Sequence, residues 1–459
     1  MTQTVFSFEG AAAFSCQRER LRVQPEPMSD VRAYRAALVH CLDDPRRAGP
    51  DAVVHHLDGL LLVEDGHIAA CGAWADLGPG LAADVPVERL PGRILTPGFV
   101  DTHIHFPQID MIASFSGQLL DWLTEKTFPA ERAFASQTHA QAAARAFLDE
   151  LLRNGTTTAM VFGSVHKASV EALFEAASAR NMRLIAGKSL MDRGPEDLRD
   201  TVERGRAETE SLIRDWSRHG RLGYAVTPRF ALSSSPEQLE AAGGILRAHD
   251  HVWMQTHLAE NPREVAAVAA AFPDARDYLD AYDRFGLVTE RSVFAHAIHM
   301  TDRSLHRMAR AGAAIAHCPT SNLFLGSGLF DLVRVDAHGV CVGLGTDVGA
   351  GTSFSVLTTA AAACNVAQLK GGPLDPLRAF YLATLGGARA LGLADRIGSF
   401  RTGCEADFVA LDAAATPLLA RRLSGVSDIR EMLFALMVLG DDRAVARTWV
   451  AGDVQHDRG

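Results

Sequence analysis

The chain has 459 residues, 47% of them hydrophobic and 22% charged, which excludes a disordered or fibrous protein and supplies material for a large core. Its formal net charge of -10 gives no general attraction to a phosphate backbone, so no nucleic-acid partner is expected and a small-molecule substrate fits better. Seven cysteines with no Cys-x-x-Cys pair exclude a disulfide framework and a thiolate zinc site and point to a reducing, cytoplasmic setting. No apolar run reaches the roughly 18 residues that span a bilayer, so no membrane partner is expected.

Residues 1–28 carry polar, proline-containing ends and no basic-then-apolar leader; they read as a tail, with Met28 as an alternative start. From Arg32 to Leu95 the chain reads as short strands and turns, with Glu64-Asp65-Gly66 as a turn signal between the apolar runs LDGLLLV and HIAACG. From Pro97 the pattern changes. Short β-rich runs alternate with long Ala-, Leu-, Arg- and Glu-rich segments of helical spacing. The runs are ILTPGFVDTHIH, GTTTAMVFG, MRLIAGKSLM, LGYAVTPRF, HVWMQTHLAE, SVFAHAIHM, AAIAHCPTSN and VCVGLGTDVG. Ser235-Pro236 and Asp375-Pro376 open two of the intervening helices. After Gly398 the reading returns to strands. The fold class is therefore α/β, a (β/α)8 TIM-like barrel over residues 96–397, with residues 29–95 and 398–459 combining into a small β-sandwich.

In such a barrel the C-terminal ends of the strands face the active-site mouth, and here those ends carry His103, His105, Arg229, His257, Glu260, His296 and Asp347. His103 and His105 lie two apart on a strand, so both imidazoles point to one side. An isolated His-x-His is more often a packed or surface pair; the run Thr-Pro-Gly-Phe-Val-Asp-Thr-His-Ile-His reverses that preference. His257 and Asp347 add a third nitrogen and a carboxylate, a set that suits zinc and an activated water. Glu260, three residues past a ligand, reads as a proton shuttle, and His296 as a group that polarises or deprotonates the water. His299 and His317 read as hydrogen-bonded wall histidines.

The segments TPGFVDTHIHFPQ, LLDWLTEKTFPAE, NGTTTAMVFG, GKSLMDR, TPRFALSSS, QTHLAEN, HCPTSN and GLGTDVGAGTSFS resemble the guanine deaminase family of the amidohydrolase superfamily, in order and spacing. The resemblance implies one zinc per chain at His103, His105, His257 and Asp347, with Glu260, His296 and Asp347 catalytic. It also implies a base-binding set of Gln108, Arg229 and Phe230, hydrolysis of guanine to xanthine and ammonia in purine catabolism, and a homodimer by family analogy. An arginine fork and an aromatic face suit a flat purine carrying a carbonyl, and no packing role calls for an arginine at a barrel mouth. The bland alternatives are a surface glutamine, a salt-bridged arginine and a core phenylalanine. One departure stands out: Ala295-His296-Ala297 occupies a place where many relatives have Ala-His-Gly. The fourth strand ends in Pro228-Arg229-Phe230 with no bridging lysine, since Lys188 belongs to the third, so a single metal is expected. The His-x-Glu and Pro-Cys-x-x-Cys signature of the other zinc deaminases is missing. Two rivals remain: the same chemistry on another heterocycle (8-oxoguanine, a pterin, a triazine, an adenosine-type ligand), and a metal-free scaffold on the same fold, which predicts lost ligands.

Overall fold

The described residues from 30 onward open with four strands: β1 (Val31–Cys41), β2 (Val53–Glu64), β3 (His67–Ala73) and β4 (Val87–Pro97). They are seen in a computed structural model that describes Met1, residues 30–115 and residues 117–459; the expected tail, Met28 included, lies outside the described residues apart from Met1. β2 and β3 pair antiparallel with Glu64 opposite His67, leaving Asp65 and Gly66 as a two-residue loop. Both loop residues have positive φ (47° and 75°), the conformation whose twist matches a hairpin. The Asp-Gly turn signal is therefore used as such.

The eight β-rich runs then become parallel strands: β5 (Phe99–His105), β6 (Thr156–Phe162), β7 (Arg183–Gly187), the short β8 (Ser189–Leu190), β9 (Leu222–Pro228), β10 (Trp253–Leu258), β11 (Ser292–His296), β12 (Ala314–His317) and β13 (Cys341–Leu344). They neighbour one another in chain order, with β8 set off the path and paired to β9. Segments following β13 bring the sheet back to β5, where the Asp347 N–H donates to the His103 carbonyl and the His105 N–H to the Val348 carbonyl, both at 2.9 Å. β6, β7 and β9 are buried along their whole length, as strands covered on both faces must be. Helices cover the outside. In Gln137–Arg153, Ala140, Ala144, Phe147, Leu148 and Leu151 recur at helical spacing and are buried, and Ser136 caps the start. Ser235 and Asp375 cap the helices Pro236–Ala248 and Pro376–Ala383, as the sequence signals indicate.

β14 (Phe408–Asp412), β15 (Val445–Val450) and β16 (Asp453–Asp457) complete the chain. The pairing of the two flanking segments read from the sequence takes the form of one continuous seven-stranded sheet, in the order β16-β15-β14-β4-β1-β2-β3. It holds its own small core, in which Trp449 stacks on Phe408 with ring centroids 4.4 Å apart and Tyr34, Leu38 and Leu61 pack alongside. This sheet is tied to the closed face of the barrel by ions. Arg183, at the start of β7, and Arg221, just before β9, donate to Glu405 at 2.7 and 2.9 Å, and Arg221 also pairs with Asp407. The opposite, C-terminal face is left free for chemistry. Among the described residues no helix is long and apolar enough to cross a membrane.

Candidate active site

β5 ends in His103 and His105, whose side chains project to one side because strand side chains alternate. β10 contributes His257, and the loop after β13 contributes Asp347. The four come together at the barrel mouth, each offering a ligand atom within 4.8 Å of the others. His105 Nε2 lies 3.0 Å from His257 Nε2, and Asp347 Oδ1 lies 3.1 Å from His103 Nε2 and 3.3 Å from His105 Nε2. Asp347 is placed by an unusual backbone. Its φ is +54°, and Gly351 folds back so closely that a Cβ there would meet the Thr346 carbonyl oxygen at 1.7 Å.

These groups fit a metal ion. His257 Nδ1 lies 2.6 Å from the Arg229 carbonyl and must donate to it, which turns the lone pair of Nε2 toward the other ligands. Burial, with the neighbouring imidazoles second, holds His257 well below its ordinary pKa, and burial brings His105 down to about 4; both are neutral, as ligation requires. Burial opposes the charge of Asp347, but His103, His105 and His296 outweigh it and hold its carboxyl well below the usual carboxylate range. His103 Nε2 is buried and makes no hydrogen bond of good geometry, although Asp347 Oδ1 lies 3.1 Å away, a convergence that a cation between them would satisfy. A second convergent group, His296, Cys318 and Asp347, shares the aspartate. Its thiol is held protonated by burial, which leaves the three-imidazole set the better cage.

Glu260 and His296 stand beside this set, outside it. Glu260 accepts from the Ser327 hydroxyl at 3.0 Å and lies 3.4 Å from His296 Nε2, and burial, then the charge of Asp347, pushes its carboxyl up to about 8. Its backbone N–H donates to Glu264 at 2.9 Å, a carboxylate that also receives the Tyr278 hydroxyl and is pushed up by burial to about 7. His296 Nδ1 lies 2.9 Å from Asn322 Oδ1 and so carries the proton, leaving Nε2 as the free lone pair, 3.8 Å from Asp347. The departure at the sixth strand has a conformational meaning. His296 and Ala297 both have positive φ (70° and 50°), the left-handed region where a glycine after the histidine would sit without cost.

A cavity opens over these groups, lined by Gln108, Arg229, Phe230 and Glu260 together with Trp122 and Leu325. Phe230 also belongs to the apolar cluster of Met111, Leu119 and Trp122, so it is both wall and core. Arg229 follows β9 directly and is buried, and its Nη1 donates to Glu131 at 2.6 Å. The salt-bridged arginine named as the bland alternative is thus present, and the same side chain also lines the cavity. Gln108 is likewise buried rather than a surface residue. His299 donates to the Ser327 carbonyl at 2.9 Å and His317 stacks on Phe330, its pKa brought down to about 3 by burial; both stand outside the ligand set. Glu131, Asn322, Ser327 and Glu264 were not singled out by sequence reasoning, although Glu131 ends the TFPAE string and Asn322 the HCPTSN string.

An Amidohydrolase family model matches residues 94–454. The chain is 47% identical over 402 residues to guanine deaminase of Escherichia coli (strain K12), covering 87% of this chain and 92% of that protein. It is 43% identical over 433 residues to a probable guanine deaminase of Deinococcus radiodurans, covering 92% and 98%. Among solved structures it is similar to guanine deaminase from C. acetobutylicum with bound guanine in the active site, with a TM-score of 0.85 at 27% identity over 93% of this chain and all of that one.

Proposed function

Since the chain belongs to the amidohydrolase family and, within it, to the guanine deaminases, we infer that it hydrolyses guanine to xanthine and ammonia. The observation that carries this reading is one cavity lined by three of the four convergent groups, His105, His257 and Asp347, and by an arginine and a glutamine on its wall. The scaffold alternative predicts lost ligands, and every ligand position here is filled. His103, His105, His257 and Asp347 would hold a zinc ion, which supplies Lewis acidity and brings the ionisation of water close to neutral pH. About one zinc per chain is expected in the purified protein, and elemental analysis near two would count against the single site. The free cysteines among the described residues support a reducing compartment.

The protein's own residues divide the remaining work. Water adds to carbon 2 of guanine, and one of its protons passes through Glu260, 3.4 Å from His296 and protonatable near neutral pH, to ring nitrogen 3. The second proton goes to the departing amino group as the carbon–nitrogen bond breaks, so ammonia leaves and a carbonyl remains. His296, oriented by Asn322, and Asp347 flank the water as proton acceptors. Arg229 and Gln108 hold the base by its carbonyl side, and the Phe230 ring packs against the plane.

Substrate choice is tested at Arg229. Arg229→Ala is expected to cost roughly 2–4 kcal/mol in kcat/KM for guanine, because a carbonyl in a dry pocket loses a charged donor. Adenine, which lacks that carbonyl, is expected to be a poor substrate of the unaltered protein. The measurement is kcat/KM for guanine, adenine, 8-oxoguanine and a chlorotriazine on both proteins. Thermal stability is recorded alongside, because the variant also leaves Glu131 buried without its cationic partner. Preference of the unaltered protein for any of the other three, or undiminished guanine turnover by the variant, would overturn the assignment.

A further inference from the structure

Behind the cavity wall a single carboxylate holds both polar side chains that face the base. Glu131 is buried, and its two oxygens are divided: Oε2 accepts from Arg229 Nη1 at 2.6 Å and Oε1 from Gln108 Nε2 at 3.1 Å. The far end of Gln108 is fixed as well, since its Oε1 accepts from the Gly349 N–H at 3.1 Å. Its amide therefore cannot flip, and what it shows the cavity is one remaining N–H and one remaining lone pair. The segment that carries Glu131 explains its placement. Leu119–Trp122 is α-helical, Leu123–Thr127 widens to a π-turn, and Phe128–Arg132 resumes the α-helix. Pro129 has no N–H to give a regular helix, and the Phe128 N–H reaches back to the Leu123 carbonyl. The same turn sets the Phe128 ring 5.5 Å from the Arg229 guanidinium.

We propose that Glu131 is a positioning residue that fixes Arg229 and Gln108 and neutralises the guanidinium, so that the wall binds a neutral oxopurine edge and rejects an anionic one. The charge logic is direct. With Glu131 in place the wall offers donors without net charge, which matches a carbonyl. A carboxylate at that edge would instead bury a second negative charge against one cation. The role rests on the guanine reading, but its failure is separable from it.

The test is Glu131→Gln in the metal-loaded full chain, with Glu131→Asp as the charge-keeping control. The unaltered protein is assayed first, and absence of guanine turnover would overturn the assigned substrate. Glutamine can accept from only one of the two donors and carries no charge. We expect its KM for guanine to rise at least about tenfold, with kcat changed less and metal content unchanged. Purine-6-carboxylate, an anionic probe, should bind this variant about tenfold more tightly than it binds the unaltered protein. A wall that has merely collapsed would weaken both ligands. Glu131→Asp, shorter by one methylene, should raise the guanine KM while still rejecting the carboxylate. Parental guanine KM in either variant, or loss of both ligands together in Glu131→Gln, overturns the role. Should Glu131→Gln fail to fold, the aspartate variant decides on the same two readings.

Discussion

A His103→Ala/His105→Ala double variant is expected to come off purification without metal and with guanine turnover at the background of the assay. The two imidazoles leave from one strand end, and what remains is His257 with Asp347, too few ligands for a closed site. The chemistry then faces water with its ordinary pKa, far above the near-neutral value a metal would give it, a difference of many orders of magnitude in available hydroxide. The barrel should survive the change. Both side chains point into the mouth, while β5 keeps its hydrogen bonds to β6 and to the segment after β13. Circular dichroism should match the parent, and metal analysis separates the outcomes. Metal retained at parental stoichiometry would show that the four groups are not the cage, and residual turnover without metal would refute the reaction as written.

Glu260→Gln is expected to keep metal and fold but lose about a hundredfold to ten-thousandfold in kcat, the usual contribution of a positioned acid–base group. The substitution is nearly isosteric. Glutamine can still accept from the Ser327 hydroxyl, and the backbone N–H still reaches Glu264, so the loop should not move. What is lost is a group that gains and gives up a proton near neutral pH. Because Glu260 is not among the four groups placed to hold a metal, metal content should be parental. Turnover within about threefold of the parent would remove Glu260 from the proton path. His296→Ala should behave in the same way, sparing metal more than rate, which separates it from His257.

What could be read from the sequence follows from how far each signal reaches. The period of two along β5 places His103 and His105 on one side, and the polarity of a barrel places every strand end at one mouth. Both arguments are local, so the four converging groups, Glu260 and His296 could be named as candidates without knowing which helix packs where. Arg229 was half legible. Its position at the end of β9 is local, but its partner Glu131 lies 98 residues away on a helical segment with a π-turn that no periodic pattern announces. Asn322 is similar, since its contact with His296 depends on how β12 leads into the helix Pro319–Phe324. The flanking strands show the same limit. Alternation tells which face of a strand is buried but not which strand lies beside it, and so the single order β16-β15-β14-β4-β1-β2-β3 could not be foreseen.

That strand order also has a consequence on the ribosome. β4 lies between β1, its parallel neighbour, and β14, its antiparallel one, with Pro97 set opposite Phe408. The first hairpin and β4 emerge early, yet the partner that covers the outer edge of β4 is made roughly 300 residues later, about 15–60 s at ordinary elongation rates. For that interval the nascent chain carries an open apolar edge with Ile94 and Leu95 on it, the kind of surface that recruits holding chaperones or a second copy of itself. The seven-stranded sheet is therefore the last part of the molecule able to close, and stalled or shortened translation products should aggregate through it even though the barrel residues are already present. Ribosome-bound chains halted before residue 408 should cross-link to a holdase at β4, and chains halted after residue 457 and clear of the exit tunnel should not.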